Sequence, residues 1–456
     1  MSGSDEVGPT SRVADRMMVN SFGNAAPILV AVVTAPLLAH TLGVAARGQV
    51  AAATGPFLLA SACATLGLPD ALTFFLARRV VDLRRSITAC MILMFASSLG
   101  VGGIIVGLAP TLSNGIPSVT RLIIIGGVAV VPSLSVTALR GAAAGLHEWS
   151  SVRRERVIGA LARLVGLVGL ASVGHLTVLG ATIVIAFSPT VGGISYLRLL
   201  RKAEYDVPES GNADFRYVRE FSLYGVRVWL GAVSGILLAR LDQAIMNPLS
   251  GSHELGLYSV AVSVGELPLI VSTAMREVMF SEQSKDADTG QLGRAARVSF
   301  LLCGAFGIAI LASMPAWFTL AFGSDFRPAE VSTVILVVAV VIGTPGSIAG
   351  SGLSGRGTPG KRSLGLVIAC IVNIALLFLL VPSFGSVGAA WATLGGNVIA
   401  TGLAVWFMCR AANMRFRDFY RITMNDVVYV VDRLPIGRVG RRRRCRVHQT
   451  VQSQRS

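Results

Sequence analysis

The chain has 456 residues, of which 53% are hydrophobic and only 14% charged, and its mean hydropathy is +0.67. Soluble globular domains carry roughly a quarter charged residues, so the composition excludes that class and points to a chain dissolved in lipid. An excess of 40 Lys+Arg over 24 Asp+Glu gives a formal charge of +16, but the bases fall between or after long apolar runs, which excludes a nucleic-acid-binding face as their purpose.

The first twenty residues are polar and lack the basic stretch, short apolar core and cleavage site of a signal peptide. The first apolar run is therefore expected to remain as an uncleaved anchor. A bilayer core needs roughly 17 to 25 apolar residues per helix, and the sequence supplies such runs near 21–42, 49–68, 87–109, 121–139, 157–174, 176–197, 222–241, 257–276, 298–317, 331–352, 364–382 and 387–408. The second run is predicted to continue as a helix through Leu68-Pro69-Asp70 towards Arg78. A polar, turn-prone stretch around Tyr205–Asn212 separates the sixth run from the seventh. The predicted organisation is a cytoplasmic tail over 1–19, a six-helix lobe over 20–200, a cytoplasmic linker over 201–221, a second lobe over 222–408 and a basic cytoplasmic tail over 409–456.

Orientation follows from the bases, because short loops rich in Lys and Arg stay cytoplasmic. With the N-terminus inside, cytoplasmic segments hold Arg12 and Arg16, then Arg78, Arg79, Arg84 and Arg85, then Arg140, Arg153, Arg154 and Arg156. The series continues with Arg198, Arg201, Lys202, Arg216 and Arg219, then Arg276, Lys285, Arg294 and Arg297, then Arg356, Lys361 and Arg362. Outer loops are expected to hold only Arg47, Arg121, Arg240 and Arg327. A span missed or invented would reverse the sign of every later loop, so the unbroken alternation supports an even number of spans.

Two correspondences indicate an internal repeat. Gly43 and Gly48, at the turn into the second span, recur as Gly251 and Gly256 at the turn into the eighth, an offset of 208. Val128-Ala129-Val130-Val131 in the fourth span recurs as Val338-Ala339-Val340-Val341 in the tenth, an offset of 210. Six spans per half make the two halves parallel, an arrangement used by many transporters.

Polar residues inside spans mark helix contacts or cavities. One face of the first span carries Asn20, Asn24, Thr34 and Thr41 beside Pro27, and one face of the eighth carries Ser259, Ser263, Glu266 and Thr273 beside Pro268. The seventh offers Tyr224, Arg227, Gly231 and Ser234, and the second offers Thr54, Ser61 and Thr65. An Arg at mid-span costs about 2.5–3.5 kcal/mol on the insertion scale, so Arg163 and Arg227 call for a partner, a watery pocket or snorkelling to the inner surface. Glu266 lies nearest mid-membrane, where it is either a functional charge or half of an Arg–Glu pair. Candidate substrate contacts are Arg227, Asn24, Asn20, Ser234, Ser263 and Arg163, and candidate ion-coupling carboxylates are Glu266 and Asp70.

Other signals carry less. Cys63, Cys90, Cys303, Cys370, Cys409 and Cys445 show no metal-ligand spacing, and four lie inside apolar runs, so helix packing is expected rather than a disulfide framework or zinc site. The stretch Gly355–Lys361 spells most of a phosphate-binding loop, but Arg362 stands where Ser or Thr should bind magnesium and no strand precedes it. The five histidines are scattered and form no catalytic arrangement. No cofactor or catalytic residue is predicted. The run Arg441-Arg442-Arg443-Arg444 with Arg446 reads as a juxtamembrane polybasic segment for anionic lipid, or as a solvated orientation signal.

Several stretches resemble the MOP superfamily (multidrug/oligosaccharidyl-lipid/polysaccharide exporters), in particular its polysaccharide-biosynthesis flippase branch. They are Leu42-Gly43-Val44-Ala45-Ala46-Arg47-Gly48, Asp242 followed by Gly256-Leu257-Tyr258-Ser259-Val260-Ala261, Phe322–Phe326, and Pro382–Thr393 entering the twelfth span. His40 stands where many members carry Arg. The resemblance implies an all-α, two-lobed, MATE-like fold of about twelve helices with a cavity lined by the first, second, seventh and eighth spans. It also implies a substrate, a lipid-linked oligosaccharide moved from the inner to the outer leaflet of a bacterial plasma membrane, with polysaccharide polymerase and glycosyltransferases as functional partners. A cation-coupled drug antiporter is the nearest alternative and should present an acidic cavity without Arg. A lipid II flippase would be expected to carry extra spans. A membrane enzyme of polysaccharide assembly would be expected to carry a large outer loop, and every predicted outer loop is short.

Overall fold

A computed structural model describes residues 9–77, 83–199, 215–270, 272–273, 275–276, 288–424 and 426. All regular elements among them are helical: α1 (Pro9–Cys63), α2 (Leu68–Ala77), α3 (Leu83–Leu112), α4 (Pro117–Gly145), α5 (Trp149–Ser172) and α6 (Val178–Gly192) in the first half, then α7 (Phe215–Gly265), α8 (Thr289–Phe322), α9 (Ala329–Gly355), α10 (Pro359–Ala412) and the short α11 (Arg417–Tyr420). The physical cause is the solvent: in hydrocarbon a backbone N–H or C=O has no water to bond, so each segment must satisfy its own groups. Seven helices are long and apolar enough to cross a bilayer by length and composition. Large apolar side chains also face outward, such as Leu320 at 82%, Leu379 at 70% and Ile308 at 69% exposure, a surface suited to lipid and not to water.

Three of the helices are too long to be single passes. At 1.5 Å per residue, the 55 residues of α1 would reach about 80 Å, far beyond a hydrocarbon core of about 30 Å. Each is broken by a glycine in non-helical conformation: Gly43 in α1, Gly251 in α7 and Gly385 in α10. The chain reverses there, because a Cβ on Gly388 would strike the main chain at Leu380 and Val381. Among the described residues, counting each folded helix twice makes the nine helices of 15 residues or more consistent with the twelve spans expected from the apolar runs.

The repeat is visible in the backbone. Gly43 adopts φ 75 and ψ 177, and Gly251 adopts φ 84 and ψ 170, a region open to glycine and costly for other residues. Val128 and Val338 face outward, while Ala129 and Ala339 are both fully buried. The second and eighth passes are each interrupted, by turns at 64–67 and at 266–268. The freed carbonyls are taken up by side chains of the following pass: Ser97 Oγ donates to Ala64 O at 2.7 Å, and Cys303 Sγ donates to Pro268 O at 3.2 Å.

The lobes meet along α1 and α7. At one end Gly48 packs on the main chain of Ser252 and Gly256 on that of Val44. Nearby, His40 Nε2 donates to Leu320 O at 3.1 Å and Asn247 Nδ2 to Leu112 O at 2.7 Å. At the other end Trp229 Nε1 donates to Cys63 O at 2.8 Å. Contacts thus close the seam at both ends of the seventh pass. Cys63, Cys90, Cys303, Cys370 and Cys409 are free thiols.

Candidate functional site

The polar interior of the second lobe is built where the two arms of α7 fold together at Gly251. Residues roughly equidistant from that turn come face to face. Asp242, 3% exposed, accepts a hydrogen bond from the hydroxyl of Tyr258, which is completely buried. Thr393 of α10 donates to the same carboxylate oxygen at 3.2 Å and lies 3.0 Å from the Tyr258 hydroxyl. The Gln243 N–H donates to the other oxygen at 2.7 Å. A buried carboxylate needs such donors, since an ion taken from water costs several kcal/mol unless its lone pairs are used.

One turn away, Arg240 Nη2 donates to Glu266 Oε2 at 2.9 Å. Sequence reading placed Arg240 in an outer loop. It lies instead inside α7, where the fold at Gly251 brings it to the interruption of the eighth pass that carries Glu266. Glu266, Asp242 and Tyr258 line one pocket of about 190 Å³ with Ser347, Thr393 and Asn397. A second pocket of about 460 Å³ shares Leu238, Gly343, Ser347 and Asn397 with the first and extends to Arg276 and Arg362. The two pockets adjoin at these shared residues in the second lobe.

The first lobe holds a different arrangement. Arg163 in α5 and Arg47 in α1 lie within electrostatic range of each other and repel. Arg47 was expected in an outer loop, yet it is only 8% exposed. The Nε atoms of both are buried without a hydrogen-bond partner, and neither side chain has an ion pair among the described residues. Both adjoin a cluster formed by Leu38, Val50, Leu167 and Ala181: Val50 follows Arg47 by three positions and Leu167 follows Arg163 by four. This fixes the pair inside the lobe.

The remaining predicted positions divide into three groups. Ser263 spends its hydroxyl on Ser259 O at 2.8 Å in its own helix, and Ser234 is buried in α7. Asp70 lies in the first turn of α2, just beyond the interruption of the second pass, and is exposed. The side chains of Asn20, Asn24 and Arg227 lie outside the described residues. Sequence reading did not single out Thr393 and Asn397 as site residues. Their four-residue spacing on an otherwise apolar span was the available signal.

Residues 13–280 match the family described as polysaccharide biosynthesis protein. The chain is 22% identical over 213 residues to the probable low-salt glycan biosynthesis flippase Agl15 of Haloferax volcanii, covering 44% of each protein. It is 24% identical over 210 residues to an uncharacterized membrane protein of Methanocaldococcus jannaschii, covering 44% of this chain and 41% of that one. The chain therefore spans less than half the length of these relatives. In three dimensions it is similar to lipid II flippase MurJ in an inward closed conformation, with a TM-score of 0.72 at 12% identity over 91% of this chain and 92% of that one. It is also similar to the MATE multidrug transporter DinF-BH, with a TM-score of 0.63 at 16% identity over 92% and 98%. An inward-facing MATE transporter of the MOP superfamily gives a TM-score of 0.60 at 16% identity over 83% and 94%. With the family match running over more than half of its residues, this chain belongs to the polysaccharide biosynthesis protein family.

Proposed function

We propose that this protein is a flippase that carries a lipid-linked oligosaccharide, a polyprenyl-pyrophosphate-linked polysaccharide precursor, from the inner to the outer leaflet by alternating access. The observation that carries this reading is the pair Arg47 and Arg163, two arginines of like charge whose Nε atoms are buried without a hydrogen-bond partner and which have no ion pair among the described residues. Uncompensated positive charge inside a membrane protein is costly. It suits an anionic cargo and opposes a cationic one. Family membership and the likeness to a glycan biosynthesis flippase support the same reading.

In this mechanism Arg163 and Arg227 contact the pyrophosphate, and Asn20, Asn24, Ser234 and Ser263 accept or donate to sugar hydroxyls, while the polyprenyl tail stays in the bilayer. An inside-negative potential favours outward movement of anions by ~2.3 kcal/mol per charge per 100 mV. Glu266 or Asp70 couples transport to protons or sodium, and the buried Asp242 is a third carboxylate placed to do so. The protein performs no covalent chemistry. It sits in a bacterial plasma membrane with both tails cytoplasmic, the basic tail on anionic lipid, and works beside polysaccharide polymerase and glycosyltransferases.

The test is protein-dependent translocation of a fluorescent polyprenyl-pyrophosphate oligosaccharide in reconstituted vesicles. Flipping is expected, and Arg163→Ala or Arg227→Ala should slow it about tenfold, the cost of one charge-assisted contact. Absence of flipping would overturn the proposal, and an unchanged rate in Arg227→Ala would overturn that residue's role. The carboxylates Asp242 and Glu266 in the second-lobe pocket favour a second reading, a cation-coupled drug antiporter. Efflux of a cationic dye from cells expressing the protein would select it.

A further inference from the structure

The second pocket of the second lobe contains two arginines for which neither the path of Asp242 nor that of Glu266 has a use. Arg276 follows the eighth pass, and Arg362 is the fourth residue of α10. Both belong to segments that the charge alternation assigns to the cytoplasm. Arg362 is also the residue that spoils the phosphate-loop pattern at Gly355–Lys361. Both side chains are partly buried and line the cavity of about 460 Å³. Glycine makes this posture available: a Cβ on Gly350 would lie 3.3 Å from Cδ and Nε of Arg362, so the arginine rests against bare backbone.

The two guanidinium groups act on each other electrostatically, and no carboxylate lines the pocket among the described residues. Among the described residues their hydrogen bonds go to hydroxyls at the outer limit of bonding distance: Arg276 Nη1 to Ser347 Oγ at 3.5 Å and Arg362 Nη1 to Ser354 Oγ at 3.4 Å. Planar donor forks of like charge that line one cavity, bonded there only weakly among the described residues, match the oxygens of a phosphate or diphosphate. The cavity has the size of a small-molecule site, larger than the anion alone needs. Its remaining polar groups, Ser347, Asn397 and Thr401, are neutral donors and acceptors of the kind that bind sugar hydroxyls.

We infer that Arg276 and Arg362 form a phosphate-recognition subsite at the cytoplasmic side of the second lobe, which takes the sugar-diphosphate head of an anionic substrate. The anion site stands on the geometry alone. That its ligand is the head of a lipid-linked sugar rests on the flippase reading above. The subsite is distinct from the Arg47–Arg163 pair, which lies in the other lobe. Its cavity adjoins, through Leu238, Gly343, Ser347 and Asn397, the pocket that holds Asp242 and Glu266, the carboxylates proposed for coupling.

The test uses the full-length protein in neutral detergent, with inorganic pyrophosphate and farnesyl pyrophosphate as probes and phosphatidylglycerol as the competing phosphate source. Calorimetry is expected to show binding of both diphosphates, weakened about tenfold or more in Arg276→Gln and in Arg362→Gln and partly restored in Arg362→Lys. In the wild type, pyrophosphate should protect Arg276 and Arg362 from phenylglyoxal, read by mass spectrometry, which needs no variant to fold. Unchanged affinity in both Gln variants, or no protection, would overturn the site. Binding of phosphatidylglycerol with neither diphosphate would overturn the ligand and make this a structural lipid site. Diphosphate binding that depends on both arginines, in a protein that flips no lipid-linked sugar, would uphold the site and reject the flippase reading.

Discussion

Gly48 and Gly256 occupy equivalent positions in the two halves of the chain, and each packs against the main chain of the opposite half: Gly48 on Ser252, and Gly256 on Val44. Because Val44 and Ser252 are themselves related by the repeat offset, the two contacts are one contact made twice about a pseudo-two-fold axis. A side chain at either glycine would occupy the space of a backbone carbonyl. Gly48→Val is expected to disfavour this closed crossing by about 1–3 kcal/mol, the usual cost of overpacking. Spin labels on the exposed positions Ala45 and His253 should then report a longer distance than in the wild type, and the same distance would show that the crossing does not hold this end shut.

The Asp242 network should behave as a unit. Tyr258→Phe removes one donor from a buried carboxylate and is expected to cost about 1–3 kcal/mol. Thr393→Val should cost less, since Tyr258 and the Gln243 N–H still serve the carboxylate. In thermal unfolding the double variant should depart from the sum of the two by more than about 0.5 kcal/mol. Strict additivity would show that the two hydroxyls do not share the carboxylate.

At one end of the first lobe, Arg140 makes a two-pronged bond to Glu155, Nε at 3.0 Å and Nη2 at 2.9 Å, with Tyr196 Oη at 3.4 Å from the same carboxylate. This joins the end of α4 to the starts of α5 and of the turn after α6. Glu155 is 2% exposed, so Arg140→Ala leaves a buried charge unpaired. The expected loss lies at the lower end of ~3–5 kcal/mol, because the arginine itself is partly exposed. Replacing both residues by apolar ones should recover much of it, and equal losses in the single and double variants would contradict this.

The segment after α10 is clasped to α8 by Arg297, whose Nε and Nη2 donate to Asp426 at 2.7 and 3.1 Å and whose Nη1 donates to Asp418 O at 2.6 Å. Hydrogen bonding to Arg297 holds the Asp426 carboxyl down at about 2, below the ordinary value of about 3.9. A depressed carboxylate stabilises fully above its unfolded pKa and loses that stabilisation as pH falls through the folded one. Hydrogen exchange over 417–426 should therefore stay slow from neutral pH to about 4 and accelerate towards about 2. Asp426→Asn should remove this dependence and raise exchange at neutral pH, whereas an unaltered profile would mean that Phe419, which is fully buried, docks the segment without the clasp.

The sequence by itself determined the solvent, the number of passes and the pairing of the halves. These properties are local or periodic: apolar length sets insertion, loop charge sets alternation, and Gly43 and Gly251 mark turns that only glycine adopts without strain. Tertiary structure decided which charges meet. Arg240 read as an outer base until the fold at Gly251 set it against Glu266, and Arg47 read as a loop residue until α5 buried it beside Arg163. Thr393 became a partner of Asp242 only because the last pass returns beside α7. Each residue turns a helix by about 100°, so which side chain faces which neighbour depends on the rotation and depth of every helix in the bundle. Those settings are fixed by packing between distant segments, and no single span encodes them.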